Sequence, residues 1–144
     1  MNVFSSHPFQ VIVDYAHNPA GLTAQRGALH QMRAPGARLI GMVSVPGDRR
    51  DQDIREVGAA AAQTYDELYL REAADGRGRP LGEVTRLMQE GALQTGFAPE
   101  RIHCVLAEHQ AVEAALRAAR PGDLVVLMPT DVEGVWRQVQ TFVP

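Results

Sequence analysis

Residues 11–21 read VIVDYAHNPAG. Three β-branched residues run straight into Asp14, and Asp14, Tyr15, His17 and Asn18 follow one another before Pro19. A short apolar run bounded by turn residues reads as a strand buried on both faces. Asn18-Pro19 reads as a helix start. The Asn side chain can accept from the free backbone donors of the first turn, and proline gives up an N–H that has no partner there. Residues 10–14 therefore predict a strand and 19–32 a helix. Between them lies more hydrogen-bonding chemistry than an ordinary turn requires.

The alternation continues along the chain. Residues 39–44, 67–70, 102–106 and 124–128 are short segments rich in Val, Ile and Leu on both parities. Helices are predicted over 53–65, 81–95, 108–119 and 132–142. In the first of these, Ile54, Val57, Ala61 and Tyr65 recur at helical spacing. Residues 2–5 can pair back on 10–14 through Ser6-His7-Pro8, adding one antiparallel strand. The expected fold class is α/β: a three-layer αβα, Rossmann-like, mainly parallel sheet of about six strands, one antiparallel at the edge, with helices on both faces. A chain of 144 residues makes one domain, 1–144. Its longest irregular stretch is 71–80, a length more typical of functional loops.

Composition narrows the function. The net charge is −3, which argues against a dedicated nucleic-acid partner. No apolar run approaches the roughly 18 residues of a membrane span. The first ten residues have neither the basic nor the apolar region of a signal peptide, so a cytoplasmic setting is expected. All 14 basic residues are arginine. The absence of lysine excludes Schiff-base chemistry and a phosphate-binding P-loop, whose Gly-Lys-Ser/Thr core needs one. The single cysteine, Cys104, lies in an apolar stretch and is expected to be a small buried residue. His103 beside it is not at metal-ligand spacing, and no metal site is expected. His7, His30 and His109 are scattered and read as uninvolved.

In an open parallel sheet, ligands bind beyond the carboxyl ends of the strands. Those ends carry the most polar loops here: residues 14–18, 46–51, 71–79 and 129–131. Asp14, His17, Asp48, Arg49 and Arg77 are expected on one edge, around one cleft. Each residue also has a plainer reading. Asp14 can cap a turn, His17 can be solvated, and Asp48, Asp51 and Asp53 can cap turns and a helix. Arg49, Arg50, Arg77 and Arg79 can be surface charge.

DYAHNP resembles the motif that opens the C-terminal domain of the Mur ligase superfamily. With VPGDRRDQDIREVG, GRGRPLGEV and ARPGDLVVL in the same order, the chain is most similar to the cyanophycin synthetase branch. One departure stands out: residues 71–75 read REAAD where that branch is expected to be more acidic.

The resemblance implies the C-terminal domain of an ATP-dependent ligase. Such an enzyme activates a carboxylate as an acyl phosphate, and the amine of an incoming amino acid attacks it. ATP and Mg2+ would be held mainly by a central ATP-binding domain, the implied partner, which this chain lacks. The isolated chain is expected to be inactive. Asp14, His17 and Asn18 would stand at the interdomain cleft near the terminal phosphates. Asp48 would belong to the same substrate-binding face, and Arg49 or Arg50 would contact phosphate or carboxylate. Arg77 and Arg79 would take the α-carboxylate of the amino acid. If that amino acid is arginine, its guanidinium needs an acidic partner among Glu72, Asp75 and Asp131. Two alternatives remain: a free-standing binding or regulatory module of the same family, and an unrelated doubly wound domain.

Overall fold

The computed structural model describes residues 2–14 and 18–144. In chain order the elements are β1 (Asn2–Phe4), β2 (Gln10–Val13), α1 (Pro19–Met32), β3 (Leu39–Val43), α2 (Asp51–Thr64) and β4 (Glu67–Leu70). They continue with α3 (Glu83–Gln94), β5 (Ile102–Cys104), α4 (Glu108–Ala118), β6 (Leu124–Leu127) and α5 (Val132–Thr141). A single 3-10 turn, Pro99–Arg101, precedes β5. One six-stranded sheet has the order β1-β2-β6-β3-β4-β5. Only the β1–β2 pair is antiparallel.

The register decides where the loops emerge. Val13 of β2 and Met42 of β3 both lie beside Leu127 of β6. Leu70 of β4 lies beside Val43 on one side and Cys104 on the other. The five parallel strands therefore end nearly level, and the segments that follow them leave from the same edge. Because β6 is inserted between β2 and β3, the segment after the last strand arrives in the middle of that edge.

Both faces of the sheet are covered, as the two-parity apolar pattern requires. Ile12, Leu39, Val43, Leu68, Leu70, Leu124 and Val126 pack with residues of α1, α2 and α3. Val11, Val13, Ile40, Met42, Tyr69, Val125 and Leu127 pack with α4 and α5. These are the two cores of a three-layer sandwich. Truncating any one of these fully buried side chains costs about 2–5 kcal/mol. Helices α2 and α3 approach so closely that a Cβ on Gly58 would strike the Met88 carbonyl, and one on Gly91 the Arg55 carbonyl. That backbone contact sets the angle at which α3, and the loop before it, leaves the sheet.

The opposite edge is tied by Asp123, which is 3% exposed. Its carboxylate accepts from the backbone N–H and the side chain of Arg38, and from the Arg120 N–H at 2.8 Å.

Two expectations need correction. Helix α2 begins at Asp51 rather than at residue 53, with Arg50 as its N-cap residue. Cys104 is exposed. It ends β5, an edge strand only three residues long, of which Ile102 alone is buried.

Candidate functional site

Two adjoining clefts open on the carboxyl edge of the sheet. The first, of about 400 Å³, lies between the segments after β3, β4 and β6 and is lined by Ser44, Pro46, Arg71, Asp75 and Arg77 among others. The second, of about 680 Å³, lies between the segments after β4, β5 and β6 and is lined by Glu72, Leu81, Leu106, Glu108, His109 and Asp131 among others. Ala73, Ala74 and Thr130 line both, so only short side chains stand where the two meet. The first cleft carries two guanidinium groups and one carboxylate, the second three carboxylates and the His109 imidazole.

The loops after β3 and β4 are held together largely by Arg79. Its Nε donates to the Gly47 carbonyl and its Nη2 to the Arg49 carbonyl, each at 2.7 Å. Its Nη1 pairs with Asp51 at 2.8 Å and Glu83 at 2.7 Å. With every nitrogen of the fork engaged, Arg79 stitches two loops and the first turns of two helices. Gly47 is required at this junction, since a Cβ there would strike the Gly76 carbonyl. Arg77 stands differently. It is exposed, and its backbone is left-handed at φ 49°, a conformation that costs a side-chain-bearing residue. The Asp75 carboxylate accepts the Arg77 N–H at 2.9 Å, which secures the turn. Arg77 Nη1 donates to Asp48 Oδ2 at 2.8 Å, and this hydrogen bond holds the Asp48 carboxyl below the usual range.

The expected β2 cluster lies toward the other end of the same edge. Asp14 follows β2 directly; its backbone N–H donates to the Leu127 carbonyl at 2.9 Å, and its carboxylate accepts from Gln25. Asn18 is the N-cap of α1, and its Oδ1 accepts from the Gly21 N–H at 2.7 Å. Asn18 and Arg49 line a separate groove of about 260 Å³ with Val45 and Asp53. Arg50 turns back to its own helix and forms a two-point contact with Asp53 at 3.0 and 2.9 Å. The Arg49 guanidinium makes no hydrogen bond or ion pair among the described residues. His17 lies outside the described residues, as does Tyr15.

Two site features escaped the sequence reading, the Arg71–Glu108 pair and His109, while the sequence marks Glu72 only as a candidate acidic partner. Arg71 is buried at the end of β4 and ion-paired to Glu108 at 3.5 Å. The other Glu108 oxygen accepts the Thr130 and Asp131 N–H groups, each at 3.0 Å, fixing the segment after β6. His109 is part of the acidic wall: its Nδ1 faces Gln138 Oε1 at 2.8 Å and its Nε2 faces Asp131 Oδ2 at 3.1 Å. The Gln138 amide nitrogen donates to the His109 carbonyl, which turns its oxygen toward the ring. Both ring nitrogens thus face acceptors, and the hydrogen bond to Gln138, then that to Asp131, raises the His109 pKa. Glu72 is nearly buried and accepts from the Thr85 N–H and hydroxyl at 3.2 and 3.0 Å. No local signal distinguishes these residues, because most of their partners lie on other elements of the fold.

The doubly wound α/β fold places its charged clefts at the sheet edge where ligands bind in folds of this kind. The family model described as Mur ligase, glutamate ligase domain matches residues 1–130, and the chain belongs to that family. A cyanophycin synthetase of Geminocystis herdmanii is 36% identical over 143 residues, which cover 99% of this chain and 16% of that protein. The chain thus spans less than a fifth of that relative's length. Among solved structures, a UDP-N-acetylmuramoyl-L-alanyl-D-glutamate--2,6-diaminopimelate ligase superposes with a TM-score of 0.75 at 23% identity, covering 88% of this chain and 25% of that one. A Mycobacterium tuberculosis folylpolyglutamate synthase complexed with ADP and AMPPCP superposes with a TM-score of 0.69 at 24% identity, covering 99% of this chain and 32% of that one.

Proposed function

We propose that this chain is the amino-acid-binding C-terminal domain of an ATP-dependent, amide-bond-forming ligase of the cyanophycin synthetase kind. The observation that carries the reading is the opposite polarity of the two joined clefts. Arg77 stands at one end and Glu72 and Asp131 at the other, with the Arg71–Glu108 pair between them. An amino acid with a cationic side chain, arginine in the first instance, matches both ends: its carboxylate faces the arginines and its guanidinium the acids.

The reaction couples ATP to an acyl phosphate, which the amine of the bound amino acid attacks. Arg49 fits a terminal phosphate, because its guanidinium is unpaired among the described residues and shares a groove with Asn18. Asp14 and His17 belong to the same interdomain face in this reading, where preorganised donors stabilise charge that develops during transfer. Asp48 and Asp75 hold Arg77 in place. Arg79 has its donors engaged within the protein and serves the loops, and Arg50 is paired at the surface with Asp53. Among the described residues no three of His, Cys, Asp or Glu form a group able to hold a metal ion. In this reading Mg2+ and most of the nucleotide belong to the central domain, the proposed partner of this one in the cytoplasm.

The test is phosphate release by the full ligase that carries this domain, with arginine, lysine and glutamate as acceptors. Arginine should support turnover best and glutamate least. His17→Ala or Arg49→Ala should lower kcat by roughly 10²–10³-fold. The 144-residue chain alone should show no turnover, since it has neither lysine nor P-loop. Robust turnover by that chain alone, or a preference for glutamate, overturns the reading. Arginine binding by a chain with no ligase partner would favour a free-standing binding module.

A further inference from the structure

Arg71 is the residue whose burial the ordinary demands of the fold do not explain. It is 1% exposed and is the first residue after β4, where the irregular 71–82 segment begins. Its Nη2 donates to the Met128 carbonyl at 2.8 Å and to the Thr130 hydroxyl at 3.3 Å. Its Nε and Nη1 are buried and donate to no acceptor among the described residues. Glu108 stands 3.5 Å from Nη1 and neutralises the charge in part, but its oxygens are drawn toward the Thr130 and Asp131 N–H groups. A buried charged donor without an acceptor is destabilising, so native proteins rarely keep one. Arg38 shows the contrast: its partner Asp123 takes both Nε and Nη2, and the Ala118 carbonyl takes Nη2 as well.

The buried side chain that carries these donors also borders the first cleft. Arg71 lines the 400 Å³ cleft with Ser44, Ala73, Ala74 and Arg77, so the side chains around it are mostly short. Arg79 cannot serve there, because all its donors are held by Gly47, Arg49, Asp51 and Glu83.

We propose that Arg71 is a carboxylate anchor at the floor of this cleft, with Arg77 as the second cation at its rim. This rests on the reading that the clefts bind the incoming amino acid. The ligand carboxylate enters from the cleft, accepts hydrogen bonds from the Arg71 donors, and supplies the acceptor that the protein withholds.

The experiment uses the full ligase carrying this domain and compares the acceptor amino acid with its carboxamide, which has no carboxylate. The wild-type enzyme should favour the free acid. Arg71→Met should raise KM for the free acid about 10- to 100-fold, the scale of a lost charged hydrogen bond. It should leave KM for the carboxamide and for ATP unchanged, so that the preference disappears. Arg71→Lys should restore part of the preference, and it carries the test if Arg71→Met does not fold. A variant that discriminates as strongly as wild type overturns the assignment, while amino-acid binding by the clefts stands. A rise in KM for ATP instead would place a phosphate at Arg71 and also overturn it. If the wild-type enzyme itself ignores the carboxylate, the broader reading of the clefts fails first.

Discussion

Arg77 donates from Nη1 to Asp48 Oδ2 at 2.8 Å while its own backbone is held in the left-handed region at φ 49°. One residue thus joins the loops after β3 and β4 at a conformational cost, as is common where a side chain must be aimed.

Arg77→Gly separates the aim from the backbone. Glycine removes roughly 1 kcal/mol of left-handed strain and adds a similar entropic cost in the unfolded chain. The exposed pair with Asp48 adds little. Stability in urea should therefore stay within about 1 kcal/mol of wild type. KM for the amino acid in the full ligase should rise at least about 10-fold, the cost of one charged hydrogen bond. A variant that binds normally would remove Arg77 from the cationic end of the site.

Asp123 should govern part of the acid sensitivity. Burial pulls its carboxyl pKa upward, but the hydrogen bonds from Arg38 and from the Arg120 and Arg38 N–H groups outweigh this and hold it below the usual range. A depressed pKa contributes stability that is present above the unfolded value of about 3.9 and is lost as pH falls through the folded one. Asp123→Asn should cost about 2–4 kcal/mol at pH 7, because Arg38 loses its partner in a half-buried site. Its stability should also fall less than that of wild type below about pH 4. Parallel acid curves for the two proteins would contradict this.

His109 should titrate above the ordinary imidazole value, since the Gln138 hydrogen bond and then Asp131 favour its charged form. The sign is opposite to that of Asp123. Its contribution is fully present below the unfolded value of about 6.5 and is lost as pH rises through the folded one. The side chain is half exposed, so solvent screening keeps the effect on stability small, and proton resonances of the ring are the better readout. Gln138→Ala should lower the midpoint, and so should Asp131→Asn. A midpoint unmoved by Gln138→Ala would show that the ring is not held as described.

The strand and helix pattern was readable because it is local. Val11, Ile12 and Val13 are apolar on both parities, as are residues 124–128, and only a sheet covered on both faces buries them all. Asn18-Pro19 announced α1, and the structure has that Asn capping that helix. The edge from which the polar loops leave was legible too, since parallel strands send successive loops the same way. Cys104 was misjudged because apolar neighbours in sequence do not reveal that β5 is a short edge strand.

What the chain determined by itself is the set of two-faced strands, the capped helices, the polar loops after each strand and a cationic chemistry made only of arginine. What the tertiary structure decided is which of those arginines is free. Arg79 and Arg50 look as available as Arg49 and Arg77 in the sequence. Arg79 is consumed by four acceptors spread over residues 47–83, and Arg50 by Asp53. Arg71, at the end of an apolar strand, is buried against Met128 and Thr130 because β6 is inserted between β2 and β3. Periodicity and capping act over a few residues. Whether a guanidinium finds an acceptor depends on strand order, which brings together groups more than fifty positions apart.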